Sequence, residues 1–233
     1  MDTKSFLDEL LKAGRELAEK GQTLAEDKLN LGESGATRDA TLSGMKKGAM
    51  VAGALALLLG TKTGRKVTGS AIKLGSIAAI GGVAWKAYQN YKDKNETIGS
   101  NKSAMPINEL DDKEANRRSV ILLKAMIAAA KSDGHVADEE LSEINQQIKN
   151  LGLEGDTAKI IQEELTKPLD IDEIAALAEG DESKAAEIYL VSAVVTDREN
   201  EKERQYLDDL AKAMKIPKEL LVELNAYNDQ DEA

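Results

Sequence analysis

The chain has 233 residues, with 31 Lys and Arg against 42 Asp and Glu and a formal net charge of -11. It contains no Cys and one His, His135, which excludes disulfides, thiolate chemistry, His-rich zinc sites and any Ser/His/Asp triad that does not use that one residue. Aromatic residues make up 3%, so the core is built from Leu, Ile, Val and Ala, and 18 Gly against 3 Pro disfavours a turn-rich all-β design.

Charge divides the chain in three. Residues 1–43 carry 6 basic and 9 acidic side chains, residues 44–103 carry 10 and 2, and residues 104–233 carry 15 and 31. A basic, glycine-rich middle between acidic flanks reads as separate modules. The predicted organisation is an amphipathic N-terminal helix (1–30), a linker (31–44), a Gly-rich hydrophobic and basic helical hairpin (45–94), a second linker (95–110), an acidic helical domain (111–228) and a short tail (229–233). In the N-terminal arm Phe6, Leu10, Ala13, Leu17 and Leu24 recur at helical spacing, with Asp2 or Thr3 as the cap. Its apolar face is expected to pack on a partner or on the rest of the chain; the alternative is lying flat on a membrane, against which a polar face not rich in Lys and Arg counts.

The middle holds two apolar runs, residues 48–61 (GAMVAGALALLLGT), which carry no charge, and residues 74–85 (LGSIAAIGGVAW). Small residues recur four apart, including Gly48, Gly53, Gly60, Gly75 and Gly82, a spacing that lets helix backbones approach closely and that membrane helices favour. Each helical glycine costs about 1 kcal/mol relative to alanine, so close helix contact must compensate. A run of 14 reaches only about 21 Å, short of the roughly 30 Å of a bilayer core. Flanking lysines that snorkel lengthen it, and Trp85, Tyr88 and Tyr91 fall where an interfacial belt belongs. Two readings follow: a membrane hairpin with both ends facing the cytoplasm, or a buried helical hairpin packed within the fold or an oligomer. The acidic, polar first residues are not those of a secretory signal. The GTKTGRK stretch fails as a phosphate loop, because three residues rather than four separate Gly60 from Gly64 and Arg65 follows.

From Asp111 onward the chain reads as successive helices. One ends at Lys131-Ser132-Asp133-Gly134, and the next starts near Asp138 with Leu141, Ile144, Ile148 and Leu151 inward. Others lie around Asp156–Leu165 and Asp170–Glu179. Residues 183–196 (SKAAEIYLVSAVVT) are apolar nearly all round, the mark of a central buried helix. The last helices run Lys202–Met214 and Pro217–Tyr227. Two stretches are related: an apolar helix, an Asp, a polar turn, a Glu and an amphipathic helix occur around Asp133 and Glu140 and again around Asp197 and Glu203, which suggests a pseudo-symmetric bundle.

The AKSDGH turn followed by Glu140, with the later Asp197 and Glu203-Arg-Gln-Tyr-Leu, resembles the two signature turns of TerB-like domains, named for tellurite resistance. The order of hydrophobic segment, polar linker and this domain resembles bacterial YebE-like inner-membrane proteins of unknown function. The resemblance implies an all-α fold, no established catalytic activity, and a divalent-cation site, calcium or magnesium, at Asp133, Glu140, Asp197 and Glu203. Arg198 stands where the first turn has Gly134, which breaks the symmetry of the pair. The same residues also read as caps: Asp133 and Asp197 end helices and cap the next, and Glu140 and Glu203 sit in first turns. An EF-hand loop is absent. No catalytic residue is assigned, and the acidic surface argues against nucleic acid as a partner.

The expected architecture is therefore all-α, a Gly/Ala-rich hairpin joined to a helical bundle. The expected function is a non-enzymatic membrane-associated protein: the hairpin, including Trp85, meets lipid, a protein partner or a second copy, and the acidic domain is an interaction or metal-responsive module in envelope or metal stress. The alternative is a cytoplasmic TerB-like metal-binding stress protein with the hairpin buried.

Overall fold

The computed structural model describes residues 2–8, 11, 76–95, 105–134, 142, 144–145, 155–196 and 200–229. Helices here are α1 (Ile77–Lys94), α2 (Asp112–Ala130), α3 (Asp156–Thr166), α4 (Ile171–Ala176), α5 (Glu182–Val195), α6 (Glu201–Ala213) and α7 (Lys218–Asp229), with a 3-10 turn at Ile107–Glu109. Residues 3–8 are also helical, and the described residues contain no strand. The architecture is all-α, as composition and periodicity predict.

Helix starts follow from side-chain oxygens placed on otherwise unsatisfied N–H groups. Asp111, Asp170 and Asp181 cap α2, α4 and α5, and Ser76 caps α1 by accepting from Ala79 N. Asp2 accepts from Ser5 N at 3.0 Å and starts the N-terminal helical residues, and that bond holds its carboxyl below the usual range.

The centre is α5. From Ala185 to Val195 every residue is buried, so neighbours are needed on all sides. They are α1 and α2, which make its broadest contacts, with α6 and α7 beside them; α3 packs behind α2, and α4 lies mainly against α6. The second arm of the expected hairpin is thus a helix of the bundle. Ile77, Ile80, Ala84, Ala87, Tyr88 and Tyr91 are buried in the common core, and α1 also lies along α7. This corrects the interfacial aromatic belt: Tyr88 and Tyr91 face the core, and Trp85 is half-buried with its ring 5.8 Å from that of Tyr88. No helix among the described residues is long and apolar enough to cross a membrane. The first arm, residues 48–61, lies outside the described residues.

The end of the expected second linker is likewise part of the core. Ile107 is fully buried and packs over Gly81 of α1, where an added Cβ would come within 2.9 Å of Ile107 Cγ2. The N-terminal segment docks as well: Phe6, Leu7 and Leu11 are buried, Thr3 bonds Asn116 and Thr157, and Asp8 Oδ1 accepts from Ile77 N at 3.0 Å.

A buried lysine fastens α3. Lys131, just past α2, donates through Nζ to the carbonyl of Glu164 at 2.6 Å and to that of Lys167, both at the end of α3. Its ammonium thus meets carbonyls that the helix leaves unpaired and that carry the negative end of its dipole. Burial pulls the Lys131 pKa below the ordinary lysine value, against the opposing field of Glu164. The buried Glu164 carboxylate is held in turn by Lys124 at 2.9 Å and Lys167 at 2.7 Å.

Two predictions follow from this packing. Gly81→Ala should destabilise the protein by about 1–3 kcal/mol through overpacking, whereas Gly82→Ala, whose added methyl meets nothing within 4 Å, should stabilise it by about 0.5–1 kcal/mol. Urea denaturation of the two variants checks the opposite signs. Lys131→Met should cost about 1–3 kcal/mol in the same measurement, because the α3 carbonyls lose their donor.

Candidate functional site

The described parts of the two turns singled out by the repeat, residues 131–134 and 200–203, are joined by one hydrogen bond. The first closes where α2 ends: Gly134 N donates to Lys131 O at 3.1 Å and Ser132 Oγ to Ala129 O at 2.6 Å. The second opens α6. Asn200, not Asp197, is its cap: Asn200 Oδ1 accepts from Lys202 N at 3.0 Å, while its amide donates to Glu203 Oε1 at 2.9 Å. Glu203 is buried in the first turn, where the helix dipole favours a carboxylate. Lys202 Nζ then spans the two turns and donates to the Asp133 carbonyl at 2.9 Å.

Of the four residues expected to hold a cation, Asp133 and Glu203 belong to these adjoining turns, and Glu140 and Asp197 lie outside the described residues, as does His135. Among the described residues no group of three or more His, Asp or Glu could hold a metal ion. A divalent cation bridging the turns would compete with the Lys202 ammonium already seated on the Asp133 carbonyl. Of the expected hairpin positions, Gly48, Gly53, Gly60 and Gly75 lie outside the described residues. Gly82 and Trp85 sit on α1, where Gly82 is open on its outer side.

A second constellation escapes sequence reasoning. Arg118 of α2 and Glu187 of α5 form an ion pair with side chains 5% and 3% exposed. Arg118 Nη1 lies 3.3 Å from Oε1 and 3.2 Å from Oε2 of Glu187, and the same nitrogen donates to Met105 O at 3.2 Å. Burial pushes the Glu187 carboxyl up to about 7, against the pull of the guanidinium. Beside the pair is a small depression whose lining includes Lys184, Ile121, Leu122 and Leu177. The one signal in the sequence is a lone carboxylate inside the run read as apolar all round. Its partner, 69 positions earlier, carries no local mark.

Comparison with known proteins places this fold among relatives without an assigned role. A protein from Yersinia enterocolitica, described as "Uncharacterized protein in ampR 5'region", is 34% identical over 99 residues, which are 42% of this chain and 70% of that protein. No solved structure matches. The family described as "Protein of unknown function (DUF533)" matches residues 44–227, a span that takes in α1 together with the rest of the bundle. The chain belongs to the DUF533 family of proteins of unknown function.

Proposed function

We propose that this protein is a non-enzymatic, divalent-cation-responsive helical module of the TerB-like kind, in which the second hairpin arm is a structural helix of the bundle. The observation that carries the reading is the closure of the 131–134 turn onto the first turn of α6 through Lys202 and the Asp133 carbonyl. This closure supports bringing Asp133 and Glu203 to one place, with Glu140 and Asp197 completing an oxygen-rich set of the kind calcium or magnesium takes. A cation there takes the place of the Lys202 ammonium on the Asp133 carbonyl and so changes the surface that the acidic bundle presents to a protein partner. The uncharged run 48–61 supplies a second contact, to lipid or to another copy of the chain.

Two measurements test this. A ligand that binds only the folded state at a hundredfold excess over its dissociation constant stabilises it by about 2.7 kcal/mol. Thermal melting of the full chain should therefore rise with millimolar calcium or magnesium and fall back with EDTA, and the rise should be absent in the Asp133→Asn, Asp197→Asn double variant. An unchanged melting temperature in all three conditions would leave the turns with a capping role alone. Fractionation of cells producing the full chain and a 48–61 deletion tests the second contact: identical distributions would refute lipid as its partner.

A further inference from the structure

The pair Arg118–Glu187 sits where four parts of the chain converge, and two of them have come from far along the sequence. α2 supplies the guanidinium and α5 the carboxylate. The segment before the 3-10 turn gives Met105 O to the same guanidinium nitrogen. α1 supplies Gly81, whose missing side chain leaves room for both Ile107 and Glu187; a Cβ there would be 3.5 Å from Glu187 Oε1. Titrating this one pair therefore acts on how α1 and residues 105–109 are held to the α2–α5 core.

The geometry makes the ionised carboxylate poorly compensated. A well-placed arginine meets a carboxylate with two parallel N–H donors. Here both Glu187 oxygens share the single nitrogen Nη1, at 3.2 and 3.3 Å, and that nitrogen is also committed to Met105 O. Among the described residues Glu187 accepts from no other donor. The surrounding charges do not make up the deficit. On α5, Asp181 opposes ionisation and Lys184 favours it, but Lys184 is paired with Glu179. On α2, Arg117 also pairs with Glu179. Residues 105–107 bring no charge, and Glu109 is exposed. On α1, Gly81 brings none, and Tyr88 is neutral, its phenol pushed up by burial and by Glu182 and Asp181.

We propose that Arg118 and Glu187 form a proton-operated clasp: protonated Glu187 keeps α1 and residues 105–109 docked on α2 and α5, and loss of that proton loosens them. The direction follows from linkage. The docked carboxyl titrates at about 7 and the undocked one near its ordinary 4.5, so its contribution to docking is full below 4.5 and is lost as pH rises through 7. Between pH 6 and 8 the equilibrium shifts toward opening by on the order of tenfold and then levels off. This inference stands on different residues from the cation reading and does not depend on it.

Trp85 is the chain's single tryptophan and sits on α1 one turn from Gly81, so it reports docking directly. In the full-length protein without added metal, Trp85 emission between pH 5 and 9 should show one transition with a midpoint near 7. Glu187→Gln, a neutral isostere of the protonated carboxyl, should remove it and hold the docked signal. Histidine is the side chain type that ordinarily titrates in this range, and the chain has one, so His135→Gln is the control and should leave the transition in place. Hydrogen exchange of the wild-type chain gives a second readout that needs no variant. Corrected for intrinsic rates, opening of α1 should rise about tenfold from pH 6 to 8 while α6 stays unchanged. A flat Trp85 profile, a transition that survives Glu187→Gln or is lost in His135→Gln, or equal changes in α1 and α6 would each overturn the proposal.

Discussion

A helix that is apolar on every side cannot end at a surface. α5 is buried round its whole circumference from Ala185 to Val195, and the rest of the described structure is arranged around that requirement. Burying a Leu, Ile or Val side chain contributes about 1.5–3 kcal/mol, so a row of them leaves no face on which water can be tolerated. One neighbour, α6, follows α5 directly in sequence, whereas α2 meets it from 69 positions away at Arg118 and Glu187. α1 comes from the glycine-rich middle and closes another side, with Gly81 at the closest approach to residues 105–107. The same enclosure gives Glu187 its unusual position: its turn of α5 places the carboxyl among packed helices, and among the described residues only Arg118 bonds it.

Much of this architecture can be read from local pattern. The periodic runs near 156–165, 183–196 and 202–214 mark α3, α5 and α6 to within a residue or two, because caps such as Asp181 and turns such as Lys131–Gly134 leave short-range signals. α1 shows where such reading stops. Its apolar, glycine-spaced sequence is suited equally to lipid and to a protein interior, since either environment rewards close packing without charge. The resolving contacts lie far off in the chain, on α5 and α7. The candidate site divides in the same way. The Asp133 turn is visible locally, whereas its link to Lys202 and the meeting of Arg118 with Glu187 each join positions 69 apart, which no local pattern encodes.

Charge segregation along the chain also has a tertiary meaning. The positive excess of the middle suggests a module of its own, yet within the described residues it serves complementarity between α1 and α7. Lys94 pairs with Glu223, and Asn90 donates to the same carboxylate. Such partly exposed pairs contribute about 0–1 kcal/mol each, so they set the register of the two helices more than their stability. The apolar row from Ile77 to Tyr91 supplies the attraction.

The hydrogen bond from Ile77 N to Asp8 Oδ1 joins two points 69 residues apart and ties the N-terminal segment to the start of α1. Loop closure grows costlier only with the logarithm of length, about 0.6 kcal/mol for each doubling. Joining points 69 positions apart thus costs only about 0.6 kcal/mol more than joining points half as far apart, so the distance along the chain is a small obstacle to seating the N-terminal segment against α1.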